Sequence, residues 1–333
     1  MNKQQEWREF IFDTSIPFEN RCLKLFRHNS ENNPVYNRFI QAFGLKSGTD
    51  LSVSKIPLLP IKAFKDARVL IEGANPEITF TSSGTSSMHK SRHFMPDPYL
   101  YKKSIETEFY KHFPKDEYSI LCYTPGYSEN PDSSLIWMLK TLVEGDTSGL
   151  SSFLPLNKPL TLSDTKPIYE NNRNIILFGA AFGLMDMIEN GSVSLPEGSH
   201  IIETGGMKTH RREMTRTALR NALSEGFQVD NNHIHSEYGM CELTSQMYAI
   251  GSNQFTVPDW VRVTIRNPEN PFERCETGAE GKIGIIDLAN VYSCPFILTD
   301  DRGVMDESGR FQVLGRWSNA DPRGCNFLID SET

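Results

Sequence analysis

The stretch Asn174–Asn190, NIILFGAAFGLMDMIEN, joins two different hydrophobic patterns without a gap. Its opening NIILFGA is a short apolar run of the kind that predicts a buried strand. The AFGLMDMIEN that follows places apolar residues at helical spacing. A strand that leads directly into a helix is the repeating unit of sheets with parallel strands. The stretch therefore predicts an α/β fold for this part of the chain.

The same alternation extends in both directions along the chain. The strand-like runs ITFTS, YSILCYT, HIIETGG and HIHSEYG are interspersed with the helical windows YLYKKSIETEFYKHF, SSLIWMLKTLV and HRREMTRTALRNALSEG. Residues 76–254 are therefore predicted to form a mostly parallel sheet with helices on both faces. In such sheets ligands bind at the carboxyl ends of the strands, so residues that follow a strand are the first candidates for a site.

The two ends of the chain show different patterns. Residues 1–75 have apolar residues at three-to-four spacing and then the proline-containing stretch IPLLPIKAFK, which predicts a helical N-terminal segment and an extended arm. From residue 255 onward, runs such as WVRVTIR and GKIGIIDLA are separated by turn residues, so 255–333 is predicted to be a β-rich subdomain.

The composition excludes several classes of protein. Of the 333 residues, 38% are hydrophobic and 23% are charged, and the net charge of -8 argues against a nucleic-acid or anionic-membrane surface. The six cysteines are dispersed without a CxxC pair, which fits a reduced cytosol. No run approaches the roughly 18 apolar residues of a membrane span, and the N-terminus has no apolar signal core. We therefore predict a cytoplasmic protein.

The segment Phe80–His93, FTSSGTSSMHKSRH, lies between a predicted strand and a predicted helix and is rich in small hydroxyl residues. Backbone N–H groups and hydroxyls in such a loop can surround an anion while Lys90 neutralises it, which favours nucleotide phosphates as the guest. The segment is not a P-loop, because His89 stands where that motif needs its second glycine. For the loop taken alone, a solvated serine-rich turn is the alternative.

A second motif, SEYGMCELTS, follows the strand-like run HIHSEYG. The ring of Tyr238 can pack on a base or sugar, Gly239 permits a sharp turn, and the Glu242 carboxylate is suited to Mg²⁺ beside phosphate oxygens. Taken alone, Glu242 is better explained as an acidic residue at a helix N-terminus, where the helix dipole favours it.

Two further strand ends carry polar groups. In LTDDRG, Asp300 and Asp301 end an apolar strand and are suited to the two ribose hydroxyls, with an Asp-rich turn as the alternative. In VLGRWSN, Arg316 comes just after another strand.

In this order the four pieces resemble motifs of the adenylate-forming superfamily, which includes acyl-CoA synthetases, firefly luciferase and peptide-synthetase adenylation domains. FTSSGTSSMHK is similar to its phosphate loop, and YGMCE to its Tyr-Gly-x-Thr-Glu motif with Cys241 in place of threonine. LTDDRG is similar to its Thr-Gly-Asp motif with Asp300 in place of glycine, and Gly315-Arg316 to its Gly-Arg motif.

The resemblance implies a role for each matching residue, with ATP and Mg²⁺ as cofactors. Phosphate contacts would come from Thr81, Ser82, Ser83, Gly84, Thr85 and Lys90. The other nucleotide contacts would be Gly205, Gly206, Tyr238 and Gly239 at the adenine, Asp301 and Arg316 at the ribose, and Glu242 at the metal.

A closer resemblance is to the LuxE-type acyl-protein synthetases of bacterial fatty acid reductases. It is carried by IPLLPIKAFK, PGYSENPDSSLIWM, ETGGMK and the terminal GRFQVLGRWSNADPRGCN. The resemblance implies activation of a long-chain fatty acid as acyl-AMP, transfer to Cys325 as a thioester, and delivery to a partner reductase. It also implies the large domain of the superfamily without the mobile C-terminal domain and its adenylation lysine, so Lys90, Lys208 or another resident cation would supply the charge.

Three other readings remain open at this point. An aryl-acid or acyl-acid–coenzyme A ligase of the phenylacetate type would use the same loop. A protein that binds nucleotide without turnover, as the partner of a reductase, is compatible with the departures at Cys241 and Asp300. A metal protein would use His233 and His235, which alternate on one strand face, with Cys241 and Glu242 near them in the sequence. A serine hydrolase has no support, because G-x-S-x-G is absent from the sequence.

Overall fold

The chain is described by a computed structural model over residues 3–82, 90–125, 130–205 and 214–317. The helices are α1 (Lys3–Phe12), α2 (Phe18–Asn32), α3 (Pro34–Gln41), α4 (Ala63–Asp66), α5 (Pro98–His112), α6 (Ser134–Gly145), α7 (Leu162–Tyr169), α8 (Ala181–Glu189) and α9 (Arg216–Phe227). The first strands are β1 (Leu59–Pro60), β2 (Ile78–Thr81), β3 (Arg92–Met95), β4 (Tyr118–Tyr123), β5 (Ser152–Phe153), β6 (Asn174–Ala180) and β7 (His200–Thr204). The remaining strands are β8 (Ile234–Tyr238), β9 (Met247–Ala249), β10 (Val261–Arg266), β11 (Gly281–Asp287), β12 (Phe296–Met305) and β13 (Phe311–Arg316).

The central sheet has the strand order β5-β4-β6-β7-β8-β9. All its neighbouring strands are parallel except β9, which pairs antiparallel with β8. One face packs against α8 and α9, and the other packs against α5 and α6. The prediction of a mostly parallel sheet with helices on both faces is confirmed.

The β6–α8 unit shows why the sequence folds this way. The strand is buried on both faces, so its apolar run is continuous, and burial of Phe178 alone contributes roughly 2–3 kcal/mol. A side chain at Gly179 would lie 2.7 Å from both Leu184 of α8 and the carbonyl oxygen of Tyr123 on β4. The glycine therefore lets the helix return closely onto the strand that precedes it.

A second sheet is formed by β1-β12-β11-β10, with β13 added on β12. The N-terminal helices pack against it: the side-chain amides of Asn29 and Asn33 donate to the carbonyl oxygens of Val291 (3.0 Å) and Ser293 (2.7 Å). The proline-containing arm also joins this sheet, because β1 runs parallel to β12. The helical N-terminal segment and the β-rich region therefore share one core.

The structure corrects one detail of the sequence interpretation. The hydroxyl-rich loop joins two antiparallel strands, β2 and β3, rather than a strand and a helix. The second strand is only four residues long, and proline at N1 together with Asp97 as N-cap starts α5 almost immediately after it. So short an element has too few residues to show an alternating pattern. Within the described ranges, no helix has both the length and the apolar character that crossing a membrane requires.

Candidate functional site

Three predicted nucleotide-binding residues meet around one carboxylate. The hydroxyl of Tyr238, at the end of β8, donates to Asp301 Oδ2 at 2.8 Å, and Arg316 Nε, at the end of β13, donates to Asp301 Oδ1 at 3.1 Å. Burial, then the neighbouring Asp301 charge, raises the pKa of Tyr238 well above its usual value, so the phenol stays protonated and donates. The Tyr238 ring packs against Phe255 and Phe311. We call these three residues the ribose triad, after the ribose contact predicted for Asp301 and Arg316.

The strand geometry explains how the triad is held. Asp301 and Arg316 are directly paired across β12 and β13. The backbone N–H of Asp301 donates to the hydroxyl of Thr299 at 3.1 Å, which fixes the strand just before the carboxylate. Gly315 has a φ of +117°, a region that favours glycine, and thereby aims the Arg316 side chain.

The two aspartates of LTDDRG have different environments. Asp301 is 2% exposed and belongs to the triad, whereas Asp300 pairs with Lys282 of β11 at 3.4 Å on a more open surface. Only Asp301 is therefore held beside Tyr238 and Arg316, and the sequence alone did not separate the two.

The segment predicted to contact phosphate is described at its two ends, residues 81–82 and 90–91. We call it the phosphate side of the site. The backbone N–H of Thr81 donates to the carbonyl oxygen of Asp132 at 2.9 Å. Ser82 and Ser91 exchange two hydrogen bonds of 3.1 Å, one backbone to backbone and one from the Ser91 N–H to the Ser82 hydroxyl. Lys90 is exposed next to this pair. The other predicted loop residues, Ser83, Gly84 and Thr85, lie outside the described residues.

The returning strand β3 is tied to the second motif by His93. Its ring Nδ1 lies 2.8 Å from the carbonyl oxygen of Cys241, and its Nε2 lies 2.9 Å from Asn290 Oδ1. The Asn290 amide donates in turn to the carbonyl oxygens of Glu242 (2.9 Å) and Cys294 (3.1 Å). Burial lowers the pKa of His93 to about 4. Sequence analysis assigned no role to His93 or Asn290, which contact residues far away in the chain.

The carboxylate predicted to hold Mg²⁺ lies in this region. Glu242 is 2% exposed, and the turn that carries it is fixed by Asp287, which accepts from the Thr244 N–H (2.8 Å) and the Ser245 hydroxyl (2.7 Å). Burial raises the pKa of Asp287 to about 6. In the described part of the chain no group of three or more metal-binding side chains is found. A single carboxylate still fits Mg²⁺, which commonly binds one or two carboxylates together with waters and substrate phosphates.

The residues that follow β7 form the third predicted part of the nucleotide site. Gly205 has a φ of +72°, so the sharp turn after the strand requires glycine. The preceding Glu203 is buried and pairs with Arg216 at 3.5 Å, and burial raises the pKa of that carboxyl group. The residues of this region and of the tail that lie outside the described ranges are Gly206, Lys208 and Cys325.

The two histidines of the metal alternative lie where β8 begins, at the opposite end of the strand from the predicted nucleotide site. His235 Nε2 contacts His200 Nδ1 at 2.7 Å, and the His233 ring stacks on His200 with centroids 4.3 Å apart. They lie at the start of β8, whereas Cys241 and Glu242 follow its end. The structure thus separates the groups that the metal alternative needed together.

The solved structures that resemble this chain are adenylate-forming enzymes. A 2-hydroxyisobutyryl-CoA ligase, solved with 2-HIB-AMP and CoA, superposes with a TM-score of 0.65 at 11% identity over 95% of this chain and 69% of that chain. ATP-bound MatB from Rhodopseudomonas palustris gives 0.51 at 14% identity over 72% of this chain and 47% of that chain. At such low sequence identities, the superpositions establish a shared fold and nothing more. The fold is therefore that of adenylate-forming enzymes.

The family follows from the sequence comparison. The model of the family described as acyl-protein synthetase, LuxE, matches residues 146–332, which is more than half of the chain. The protein therefore belongs to the LuxE acyl-protein synthetase family. None of the curated proteins matches the sequence.

Proposed function

We propose that the protein uses ATP and Mg²⁺ to activate a long-chain fatty acid as acyl-AMP and then carries the acyl group on Cys325 as a thioester. The observation that supports this most strongly is the ribose triad, which assembles three motif residues from two sheets in a chain of the LuxE family. A cytoplasmic acyl reductase that receives the thioester is the partner expected from the resemblance.

In the first step, a carboxylate oxygen of the fatty acid attacks the α-phosphorus of ATP. The bond from the α-phosphorus to the bridging oxygen breaks, and pyrophosphate leaves. Charge grows on the α-phosphate oxygens, so the hydroxyl groups of Thr81 and Ser82 and the cation of Lys90 would stabilise the transition state. Glu242 would hold the Mg²⁺, which supplies charge neutralisation on the phosphates when bound. Asp301 and Arg316 would fix the ribose meanwhile.

In the second step, the thiolate of Cys325 attacks the acyl carbonyl carbon. The carbon–oxygen bond to phosphate breaks, AMP leaves, and the thiol proton passes to solvent. The product is a thioester, which remains reactive enough for reduction or transfer to another acceptor.

Intact-mass analysis after incubation with ATP, Mg²⁺ and a fatty acid tests this proposal. We expect an adduct equal to the acid minus water, and we expect Cys325→Ser to abolish it while pyrophosphate release continues. Cys275→Ser is the matched control, since Cys275 is a partly exposed thiol of the second sheet, and this variant should keep the adduct. A hydroxylamine-labile adduct on Cys325→Ser would exclude Cys325 as the carrier.

The metal assignment has its own test. Glu242→Gln should abolish fatty-acid-dependent pyrophosphate release over a range of Mg²⁺ concentrations. Glu276→Gln, at an exposed carboxylate outside the site, should retain it. Thermal unfolding of both variants separates loss of function from loss of fold. Full activity of Glu242→Gln would contradict the assignment.

A further inference from the structure

Glu237 is a buried carboxylate that the proposed chemistry does not use. It precedes Tyr238 on β8, so the two side chains project to opposite faces of the sheet. It pairs with Thr204 of β7 and with Tyr248 of β9 in the strand register. Tyr248 belongs to the apolar cluster under α5. Glu237 therefore faces α5, on the side of β8 away from the ribose triad.

Other polar groups lie next to this carboxylate. Gln246 Nε2 donates to the Tyr101 hydroxyl at 3.1 Å, and that hydroxyl donates to the carbonyl oxygen of Ser134 at 3.2 Å. A side chain at Gly239 would lie 2.5 Å from Glu237 Oε1 and 3.7 Å from Gln246 Cγ. Glu237 and Gln246 thus both lie beside Gly239, where any larger residue would collide with the carboxylate. We call Glu237, Gln246 and Tyr101 the polar subsite.

The polar subsite contains a buried oxygen atom without a hydrogen-bond partner among the described residues. The Thr204 hydroxyl donates to Glu237 Oε2, while Oε1 lies on the side of Gly239. Gln246 Oε1 is the atom that is buried and, over the ranges that the structure describes, has no hydrogen-bond partner. A buried polar atom left unpaired costs about 1–3 kcal/mol, so such atoms normally have a partner. The Gln246 amide oxygen is an acceptor, and Glu237 Oε1 accepts when its carboxyl group is ionised, so a partner for these atoms is a donor.

An aromatic wall connects the subsite to the phosphate loop. Phe80, which immediately precedes Thr81, packs against Tyr101 and Trp137 with centroids 5.6 and 6.1 Å away, and Tyr101 stacks on Trp137 at 5.1 Å. The wall thus begins at the loop and ends at the Tyr101 hydroxyl. An acyl group bound to a phosphate at Thr81 would have these rings beside it and the polar subsite at their far end.

We propose that the polar subsite selects an acid whose acyl chain carries a hydrogen-bond donor, either a hydroxyl or an amino group. This rests on the proposed adenylation, since it concerns the acid that is activated. Glu237 is then a specificity-determining residue: its Oε1 and the Gln246 carbonyl oxygen accept from the donor of the substrate.

Charge is consistent with either donor. Burial raises the pKa of Glu237 to about 7, and the nearby Glu203 raises it further while the Thr204 hydroxyl opposes the shift. A donor that binds the carboxylate favours its charged form, and an ammonium group does so more strongly than a hydroxyl.

Pyrophosphate release with matched acids tests the inference. The set is decanoate with its α-hydroxy, β-hydroxy and β-amino derivatives, and the same set built on butanoate. We expect at least one substituted acid to exceed its parent by about tenfold or more in kcat/KM, because a site built for a donor rejects the analogue that lacks it. The pattern within the set separates hydroxyl from amino recognition. Equal rates for substituted and parent acids overturn the proposal.

Variants assign the preference to the subsite. Glu237→Met keeps the side-chain length without the acceptors and should bring the ratio of substituted to parent acid close to one. Gln246→Leu should lower the ratio as well and serves if the first variant fails to fold. Glu108→Gln is the control: that buried carboxylate is on α5 and is occupied by His112 and Lys111, so the ratio should not change. An unchanged ratio in a folded Glu237→Met or Gln246→Leu variant overturns the proposal.

Calorimetry with non-reactive adenylate mimics separates this inference from the proposed function. Acyl-sulfamoyl-adenosines with and without the hydroxyl or amino group are compared. Tighter binding of a substituted mimic is expected. Equal affinity refutes the polar subsite and leaves adenylation intact, whereas absence of binding for every mimic, together with absence of pyrophosphate release for every acid, refutes the proposed function itself.

Discussion

The ribose side and the phosphate side of the site are built differently. On the ribose side, Tyr238 and Arg316 donate to one buried carboxylate, Asp301, and the three side chains come from two sheets. On the phosphate side, Thr81 and Ser82 are held by backbone pairing, and Lys90 is exposed. The side chains predicted to contact the ribose are therefore part of the core, whereas the described residues predicted to contact phosphate lie at its rim. Substitutions on the first side should affect both stability and activity, and substitutions on the second should affect activity alone.

The largest effect is expected from Asp301→Asn. It leaves the Arg316 guanidinium without its carboxylate, and removing one partner of a largely buried pair costs about 3 kcal/mol or more. We expect a lower free energy of unfolding in urea and at least about a hundredfold loss in kcat/KM for ATP. Asp300→Asn is the control next to it and should change both by little, because its pair with Lys282 is partly exposed. Similar effects of the two variants would remove the distinction between the aspartates.

Lys90→Ala should separate activity from stability. We expect pyrophosphate release to fall by about a hundredfold to a thousandfold, the usual loss when a transition-state donor is removed. The melting temperature should be unchanged because the side chain is exposed. Lys103→Ala, at an exposed lysine of α5, should leave both unchanged. A clearly lower melting temperature of Lys90→Ala would show that Lys90 also contributes to stability and that the two sides are built alike.

Tyr238→Phe should give a smaller effect on the ribose side. The lost hydrogen bond costs about 1 kcal/mol of stability, and we expect KM for ATP to rise about fivefold to tenfold. Tyr36→Phe is a matched control, since Tyr36 is also buried and donates at 2.8 Å, to the carbonyl oxygen of Pro57. It should lose similar stability and keep KM. If KM is unchanged in Tyr238→Phe as well, the tyrosine is structural only.

The smallest effect is expected at His235, near the start of β8, and it should be on stability alone. Burial, followed by the neighbouring His200, lowers the pKa of His235 to about 3, against about 6.5 in the unfolded chain. The unfolded state therefore binds the proton first, so stability should fall as the pH drops from about 6.5 toward 3. The slope is at most about 1.4 kcal/mol per pH unit for this group.

His235→Asn should reduce this slope in urea titrations at several pH values without changing kcat at neutral pH. His233→Asn, which removes a ring that stacks on His200, should change the slope less. A slope in His235→Asn equal to that of the unsubstituted protein would contradict the assignment.

Motif order predicted that Tyr238, Asp301 and Arg316 belong to one site, and the structure places their side chains in contact. Tyr238 and Arg316 end β8 and β13, as the strand-end rule expects, whereas Asp301 lies within β12 rather than at its end. The contacts of His93 were out of reach. Its two partners are 148 and 197 residues away in the chain, and neither belongs to a spacing pattern. The polar subsite was missed for the same reason: Glu237 was part of a quoted motif, but its neighbours Gln246 and Tyr101 come from other elements. The region boundaries near residues 75 and 254 stay predictions.

Local pattern alone determined the alternation of strands and helices, the β-rich C-terminal region and the positions of the four motifs, because hydrophobic periodicity and turn residues act over a few neighbours. Only the tertiary structure decided which aspartate of LTDDRG joins the triad and that the hydroxyl-rich loop closes a hairpin. It also decided that Glu237, the second carboxylate of the segment SEYGMCELTS, faces α5. These outcomes depend on burial and on pairing between distant strands, which no short stretch of sequence encodes.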